Sequence, residues 1–233
     1  MNQTKYNIMI TILDLGCGTG NELLPHYKKG NAVIGVDIDE ENIATCKKQM
    51  PNGTFFVGDI TSVDLSKFTD ITNIICTEVI EHVSDWKQLI KNISTIPGSP
   101  TLLLTTPYIA SEKKLLAIRS TYWEEIGHRH FFSGEELVQE LASYGWTNIR
   151  TYRWNASLYF ELKSLFKRNA PCIRNTYYQQ ILPLPLLLFY QLFRTNLFQT
   201  RLKYLFPIWM ITLPIGKMLD TFWGAGIHIT AHK

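Results

Sequence analysis

The sequence predicts a doubly wound α/β fold, a mostly parallel sheet of seven strands with helices on both faces. Three observations predict it. Strand-like and helix-like stretches alternate from the start to about residue 150. The strands are apolar on both faces rather than alternating, as in a parallel sheet covered on both sides. A glycine loop, Asp14-Leu-Gly-Cys-Gly-Thr-Gly20, separates the first strand from the first helix.

The elements follow in order. NIMITILDL (7–15) is an Ile-rich apolar run and reads as the first strand, and ELLPHYKK (22–29) as a short helix. NAVIGVDI (31–38) is the second strand and EENIATCKKQM (40–50) a helix with Ile43, Cys46 and Lys47 at helical spacing. TFFVGDI (54–60) and ITNIICT (71–77) are the third and fourth strands. SDWKQLIKNIST (84–95) is an amphipathic helix with Trp86, Leu89, Ile90 and Ile93 on one face. PTLLLTTP (100–107) is the fifth strand. HFFSGEELVQELASYGW (130–146) is a helix marked by a Ser133/Glu136 capping box and stopped at Gly145. TNIRTYRW (147–154) and GIHITAHK (226–233) are the last two strands.

With 233 residues, 45% of them hydrophobic, the chain has the length of one domain carrying a large insertion and enough apolar mass for a core. A net charge of +3 makes no general case for nucleic acid. The four cysteines are scattered without a C-x-x-C pair, which argues against a disulfide framework or structural zinc and for a reducing cytosol. The first residues lack the basic start of a signal peptide.

The glycine loop lets the backbone turn sharply and approach a ligand, with free N–H groups at the helix that follows. It departs from the dinucleotide motif, because Asn21 and Leu23 stand where that motif would continue. Two later acids sharpen the reading. Asp37 ends the second strand, where an acid can accept both ribose hydroxyls. Asp59 ends the third, where an acid can accept from an adenine amino group. Either aspartate alone fits a helix cap equally well. Three acids in step at the carboxyl ends of successive strands point to a ligand, because open α/β sheets bind ligands at that edge.

LDLGCGTG (13–20), VIGVDIDE (33–40), FVGDI (56–60), the strand entering TEVIEHV (77–83) and TLLLTTP (101–107) together resemble the class I S-adenosylmethionine-dependent methyltransferases. The resemblance covers roughly residues 8–150, with GIHITAHK as the family's antiparallel last strand. It implies a Rossmann-like fold and S-adenosylmethionine as cofactor. Gly16, Gly18 and the Asp14 region would then hold the methionine part, Asp37 the ribose, and Asp59 with Ile60 the adenine, with Cys17, Gly20, Ile38 and Thr77 also contacting the cofactor. Such proteins usually carry a helix before the first strand. Here that strand starts near residue 8, so the insertion supplies the lid or the start is truncated.

CTEVIEHV (76–83) follows the fourth strand. If 78–83 opens a helix, Glu78, Glu81 and His82 fall at i, i+3 and i+4 and share one face. His128 and His130 approach the same edge from the loop after the fifth strand. Two readings follow. Glu78, Glu81, His82 and His130 would hold a divalent cation such as Mg²⁺, as the similar E-x-x-E-H arrangement implies in ubiquinone-pathway O-methyltransferases and small-RNA 2′-O-methyltransferases. Alternatively His82, His128 or His130 is a general base, with Glu78 beside the cofactor. The plain structural reading makes Glu81 a first-turn acid and leaves the 128–132 stretch as packing around a hydrophobic staple.

Residues 155–219 differ in composition. Eight basic residues stand against one acid, Glu161, so the segment carries +7 and the rest of the chain −4. The uncharged run TYYQQILPLPLLLFYQLF (176–193) is broken by Pro183 and Pro185, and YLFPIWMITLPIG (204–216) is too short to span a bilayer. Aromatic residues flanked by Lys and Arg favour an interfacial, membrane-contacting element over a spanning one. A lid or a dimer surface is the alternative.

The sequence thus divides into a core over 1–154, an apolar basic insertion over 155–219 and a final core strand in 220–233. The expected activity is O-methylation of a hydrophobic or lipid-linked acceptor, a prenylated phenol or lipid-carried glycan, by a cytoplasmic enzyme peripheral on the membrane, with nucleic acid an unlikely partner. The alternatives are a soluble metabolite or sugar methyltransferase, a small-RNA 2′-O-methyltransferase, and a non-catalytic cofactor-binding scaffold.

Overall fold

In the computed structural model, the structure describes residues 10–118, 124, 126–154 and 226–233. The strands are β1 (Thr11–Leu15), β2 (Ala32–Asp37), β3 (Thr54–Val57), β4 (Asn73–Thr77), β5 (Thr101–Pro107), β6 (Thr147–Trp154) and β7 (Gly226–His232). The helices are α1 (Leu24–Tyr27), α2 (Glu40–Gln49), α3 (Trp86–Ile93), α4 (Ile109–Ile118) and α5 (Glu135–Ser143). The seven strands form one sheet in the order β3-β2-β1-β4-β5-β7-β6. β1 to β5 pair in parallel, with Asp14 beside Gly35 and Ile75, Asp37 beside Val57, and Thr77 beside Thr105.

β7 runs antiparallel, as its last residues show. His232 and Lys233 lie against the start of β5, where Thr101 Oγ1 meets His232 Nδ1 at 3.2 Å and the Lys233 amide donates to Pro100. On the other side, Thr147 at the start of β6 donates to the His232 carbonyl. The strand order reverses between β1 and β4, so the carboxyl ends of these two central, parallel strands flank the crevice where such sheets bind ligands.

Local chemistry explains the helices that frame this edge. Asp39 caps α2 by accepting from the Glu41 and Asn42 amides, with Glu40 and Glu41 in the first turn and Lys47 and Lys48 in the last. Asp85 caps α3 by accepting from Gln88, and the helix buries Leu89, Ile90 and Ile93. Asn92 on α3 donates at 2.8 Å to both the Ile60 and Val63 carbonyls, which fixes the loop after β3. Before α5, the Ser133 amide donates to Glu136, which is half of the expected capping box. The serine hydroxyl donates to the same carboxylate, and Gly134, at φ +96°, occupies the cap.

The structure corrects one local expectation. Residues 78–83 are not helical. The Glu78 amide donates to the Thr105 carbonyl and Glu78 sits at φ +54°, while His82 N–H closes a turn on Val79. The helix begins only after Asp85. α4 was not legible as a separate helix in the sequence.

Two compact units are distinguished: 1–106 with 128–151 and 228–233, and 107–127 with 152–227. The first holds most of the sheet and all the site residues considered below. The insertion, 155–219, lies outside the described residues, as does the start of the first expected strand. Among the described residues no helix is long and apolar enough to cross a membrane.

Candidate functional site

The glycine loop is built by close packing on one side and open space on the other. Gly16 and Cys17 both donate to the Val36 carbonyl, which ties the loop to β2. Gly16 sits at φ +77°, and a Cβ there would come within 2.4 Å of Val79. Only glycine lets this loop lie against the turn after β4, so the two motifs of the sequence touch. Gly20, at φ +81°, similarly has no room beside Met50 and Cys46. Gly18, at φ +50°, would point a Cβ into open space. That opening is where a ligand can approach the backbone.

The acids around the loop have distinct jobs. Asp37 Oδ2 accepts from the Gly18 amide at 2.7 Å, and its Oδ1 accepts from Asp39 at 2.9 Å. Ile38 beside it is 73% exposed, an apolar surface at the sheet's carboxyl edge. Asp14 is buried, and its carboxyl is pushed up to about 8, mainly by burial and then by Glu22 and Asp37. The Cys17 and Cys46 thiols both donate to the Gly18 carbonyl, and burial pushes both thiols up, so they support the loop rather than act as nucleophiles. Asp59 is exposed and accepts from the amide and hydroxyl of Thr61, and Ile60 behind it is buried.

Two consecutive threonines at the end of β5 sort the two glutamates of the β4 turn. Thr105 Oγ1 donates to Glu78 at 2.9 Å, and Thr106 Oγ1 donates to Glu81 at 3.0 Å. Successive strand residues point to opposite sheet faces, so Glu78 and Glu81 part company. The expected shared face of Glu78, Glu81 and His82 is therefore absent, because no helix exists to create it. Glu81 is 1% exposed, and its Oε1 lies 3.9 Å from His82 Nε2 and 4.0 Å from His128 Nε2. The two imidazoles meet edge to face at 4.7 Å.

These three residues form the metal-capable group among the described residues, with one ligand atom each within 4.8 Å of one another. Glu78 and His130, expected as ligands, are not in it. His130 Nε2 lies 2.9 Å from the Val83 carbonyl and 3.2 Å from that of Ser84. A carbonyl only accepts, so this nitrogen carries the proton and acts as a structural donor. The contact, with the Arg129 amide donating to the Glu81 carbonyl, staples the 128–132 stretch to the turn after β4.

Sequence reasoning missed Thr105, Thr106 and Asn92 as site-building residues. The pair TT was visible before Pro107, but a strand threonine gives no signal of the carboxylate it will meet.

Comparison with known proteins follows the same lines. Residues 7–151 match the family described as "Methyltransferase domain". The chain is 33% identical over 88 residues to a ubiquinone biosynthesis O-methyltransferase of Rickettsia akari (strain Hartford), covering 36% of this chain and 34% of that protein. It is 34% identical over 102 residues to one of Coxiella burnetii (strain Dugway 5J108-111), covering 40% and 42%. The chain thus matches well under half the length of these relatives. Among solved structures, an S-adenosylmethionine-dependent methyltransferase from Mesorhizobium loti superposes with a TM-score of 0.60 at 14% identity, over 96% of this chain and 91% of that one. One from Archaeoglobus fulgidus gives 0.58 at 18% identity, over 97% and 86%. At such identities the structural likeness speaks for the fold.

Proposed function

The chain belongs to the methyltransferase-domain family, and from that membership we propose that it transfers a methyl group from S-adenosylmethionine to a hydroxyl oxygen of a hydrophobic acceptor. The observation that carries the choice of oxygen is the buried Glu81 carboxylate facing both His82 and His128 at the sheet edge that bears the glycine loop.

The residues fit the cofactor. The opening beside Gly18 admits a ligand to the loop backbone. Asp37, next to exposed Ile38, offers its remaining lone pairs to a ribose, and the Asp14 region lies where a cationic amino acid portion would be favoured. Bound there, S-adenosylmethionine supplies a methyl group on a cationic sulfur that departs as a neutral thioether.

Holding the acceptor in line and keeping water out provides much of the acceleration. A phenol or sugar hydroxyl must also lose its proton. A neutral imidazole can take it near pH 7, and the Glu81 carboxylate stabilises the imidazolium that results. A second reading has the 4.8 Å grouping in its favour: Glu81, His82 and His128 hold a divalent cation that lowers the hydroxyl pKa. One carboxylate oxygen and two imidazole nitrogens suit Zn²⁺, Fe²⁺ or Mn²⁺ better than Mg²⁺.

The apolar basic segment 155–219 and the names of the curated relatives support a prenylated phenol or another lipid-linked acceptor. The test is transfer of labelled methyl from S-adenosylmethionine to a prenylated phenol in detergent, to the same phenol without its chain, and to a short RNA, each with and without chelator. Transfer to the prenylated phenol alone supports the reading, and survival in chelator selects the imidazole base. Transfer to the RNA alone, or to none of the three, overturns it.

A further inference from the structure

We infer that Cys46 is a positioning residue for the cofactor: through the Gly18 carbonyl it aims the Thr19 amide away from α2, as a donor for the carboxylate at the amino acid end of S-adenosylmethionine. This inference rests on the reading of the glycine loop as the site of that cofactor.

Both backbone groups of Gly18 are taken by side chains from outside the loop. Its amide donates to Asp37 Oδ2 at 2.7 Å. Its carbonyl accepts from the Cys46 thiol at 3.2 Å, and at 3.7 Å from the loop's own Cys17. Cys46 is fully buried on α2 and packs with Cys17, Met50 and Phe55. Its sulfur is therefore held by a capped helix rather than by the loop it serves. Burial keeps the thiol protonated, and only a protonated sulfur can donate.

Two glycines make room for these sulfurs. Gly35 stands in the interior of β2, where glycine weakens a strand. A Cβ there would come within 2.8 Å of Cys17 Sγ and of the Phe55 ring. A Cβ on Gly20 would come within 3.0 Å of Cys46 Sγ and 2.5 Å of Met50.

Gly18 and Thr19 are the central residues of a turn, closed by the Gly20 amide donating to the Cys17 carbonyl at 2.9 Å. Turn types of one hand differ mainly in the orientation of this central peptide, while the ends of the turn stay in place. The Cys46 thiol selects one orientation. In a planar trans peptide the carbonyl and the following N–H point in opposite directions. With the Gly18 carbonyl turned to Cys46, the Thr19 N–H points away from α2, and among the described residues no group accepts from it. Beside it, the missing Cβ of Gly18 leaves open space through which a ligand can reach the backbone. A carboxylate forms a charge-assisted hydrogen bond with such an amide. Without the thiol the peptide is free to turn, and a carbonyl presented in the amide's place repels a carboxylate.

The test is calorimetric binding of two ligands to the full chain: S-adenosylhomocysteine, and 5′-methylthioadenosine, which keeps the nucleoside but lacks the amino acid. Cys46→Ala is expected to bind S-adenosylhomocysteine about tenfold more weakly, as for one lost hydrogen bond to a charged group. It should bind 5′-methylthioadenosine as the wild type does. Cys46→Ser, which restores a donor, should recover most of the loss. A merely structural role would weaken both ligands together. In the wild type, the backbone ¹⁵N–¹H signal of Thr19 should move further with S-adenosylhomocysteine than with 5′-methylthioadenosine.

No loss in Cys46→Ala, or equal losses for the two ligands, overturns the inference, as does a wild-type Thr19 signal that answers both alike. If Cys46→Ala does not fold, Cys46→Val fills the sulfur's space without a donor and carries the same expectations, and the wild-type Thr19 signal depends on neither variant. Binding is read without methyl transfer. A chain that binds as expected but transfers no methyl rejects the proposed function and leaves the positioning role standing. A wild type that binds neither ligand overturns both.

Discussion

The amide of Gly18 donates to the carboxylate of Asp37 at 2.7 Å, so the acid that ends β2 is also the tether of the glycine loop. A residue assigned from sequence to the ribose thus shapes the backbone that would meet the rest of the cofactor. Asp37→Ala is expected to weaken S-adenosylmethionine binding about tenfold to a hundredfold, since a hydrogen bond to a charged group contributes roughly 1.5–3 kcal/mol. Isothermal calorimetry checks it, and unchanged affinity would remove Asp37 from the cofactor site.

Gly16 and Gly18 should respond differently to alanine. Gly16→Ala meets both a left-handed backbone and Val79 at 2.4 Å. Overpacking of this kind costs about 1–3 kcal/mol, and the denaturant midpoint should fall accordingly. Gly18→Ala meets nothing and incurs only the left-handed strain of about 1 kcal/mol. Its methyl points into the opening, so its main effect should be lost cofactor affinity. Equal stability losses for the two variants would contradict this division.

The buried Asp14 sets a pH dependence. Its carboxyl is raised from 3.8 to about 8. Between those values the folded state keeps a proton that the unfolded state has released, so stability falls as pH rises through the window and levels above it. Urea midpoints across this range should decline for the wild type and flatten for Asp14→Asn. A cationic ligand beside Asp14 favours its ionised form, so cofactor binding near neutral pH should release protons, visible as a buffer-dependent enthalpy.

Asn92 bridges helix and loop through two 2.8 Å hydrogen bonds, to Ile60 and Val63. Asn92→Ala should cost about 2 kcal/mol at roughly 1 kcal/mol for each lost bond. Because Ile60 follows Asp59, the variant should also bind adenosine analogues more weakly. Chemical denaturation and calorimetry separate the two effects.

The segment 155–219 is tested by vesicles. If its basic and aromatic residues lie in a membrane interface, the chain should co-sediment with anionic liposomes, less with neutral ones, and less at high salt. Absence of sedimentation with anionic vesicles would favour a lid or a dimer surface.

The sequence by itself determined the strand–helix alternation, the glycine loop and the acids at the ends of β1, β2 and β3. It also brought Glu81, His82 and His128 into consideration. Each of these is written in local periodicity, in turn residues, or in spacing along a parallel sheet, so a linear reading recovers them. Only the tertiary structure decided how Glu78 and Glu81 divide. Their spacing fits one helical face, but Glu78 sits at φ +54°, outside the right-handed helical region, so no helix starts there. The neighbouring strand then separates the two acids, because Thr105 and Thr106 face opposite ways. It also turned His130 into a donor to two carbonyls, and Asn92 into a brace for a loop some thirty residues away in sequence. These partners meet only when strands and loops distant in the chain are packed side by side, and nothing in either partner's local sequence carries that information.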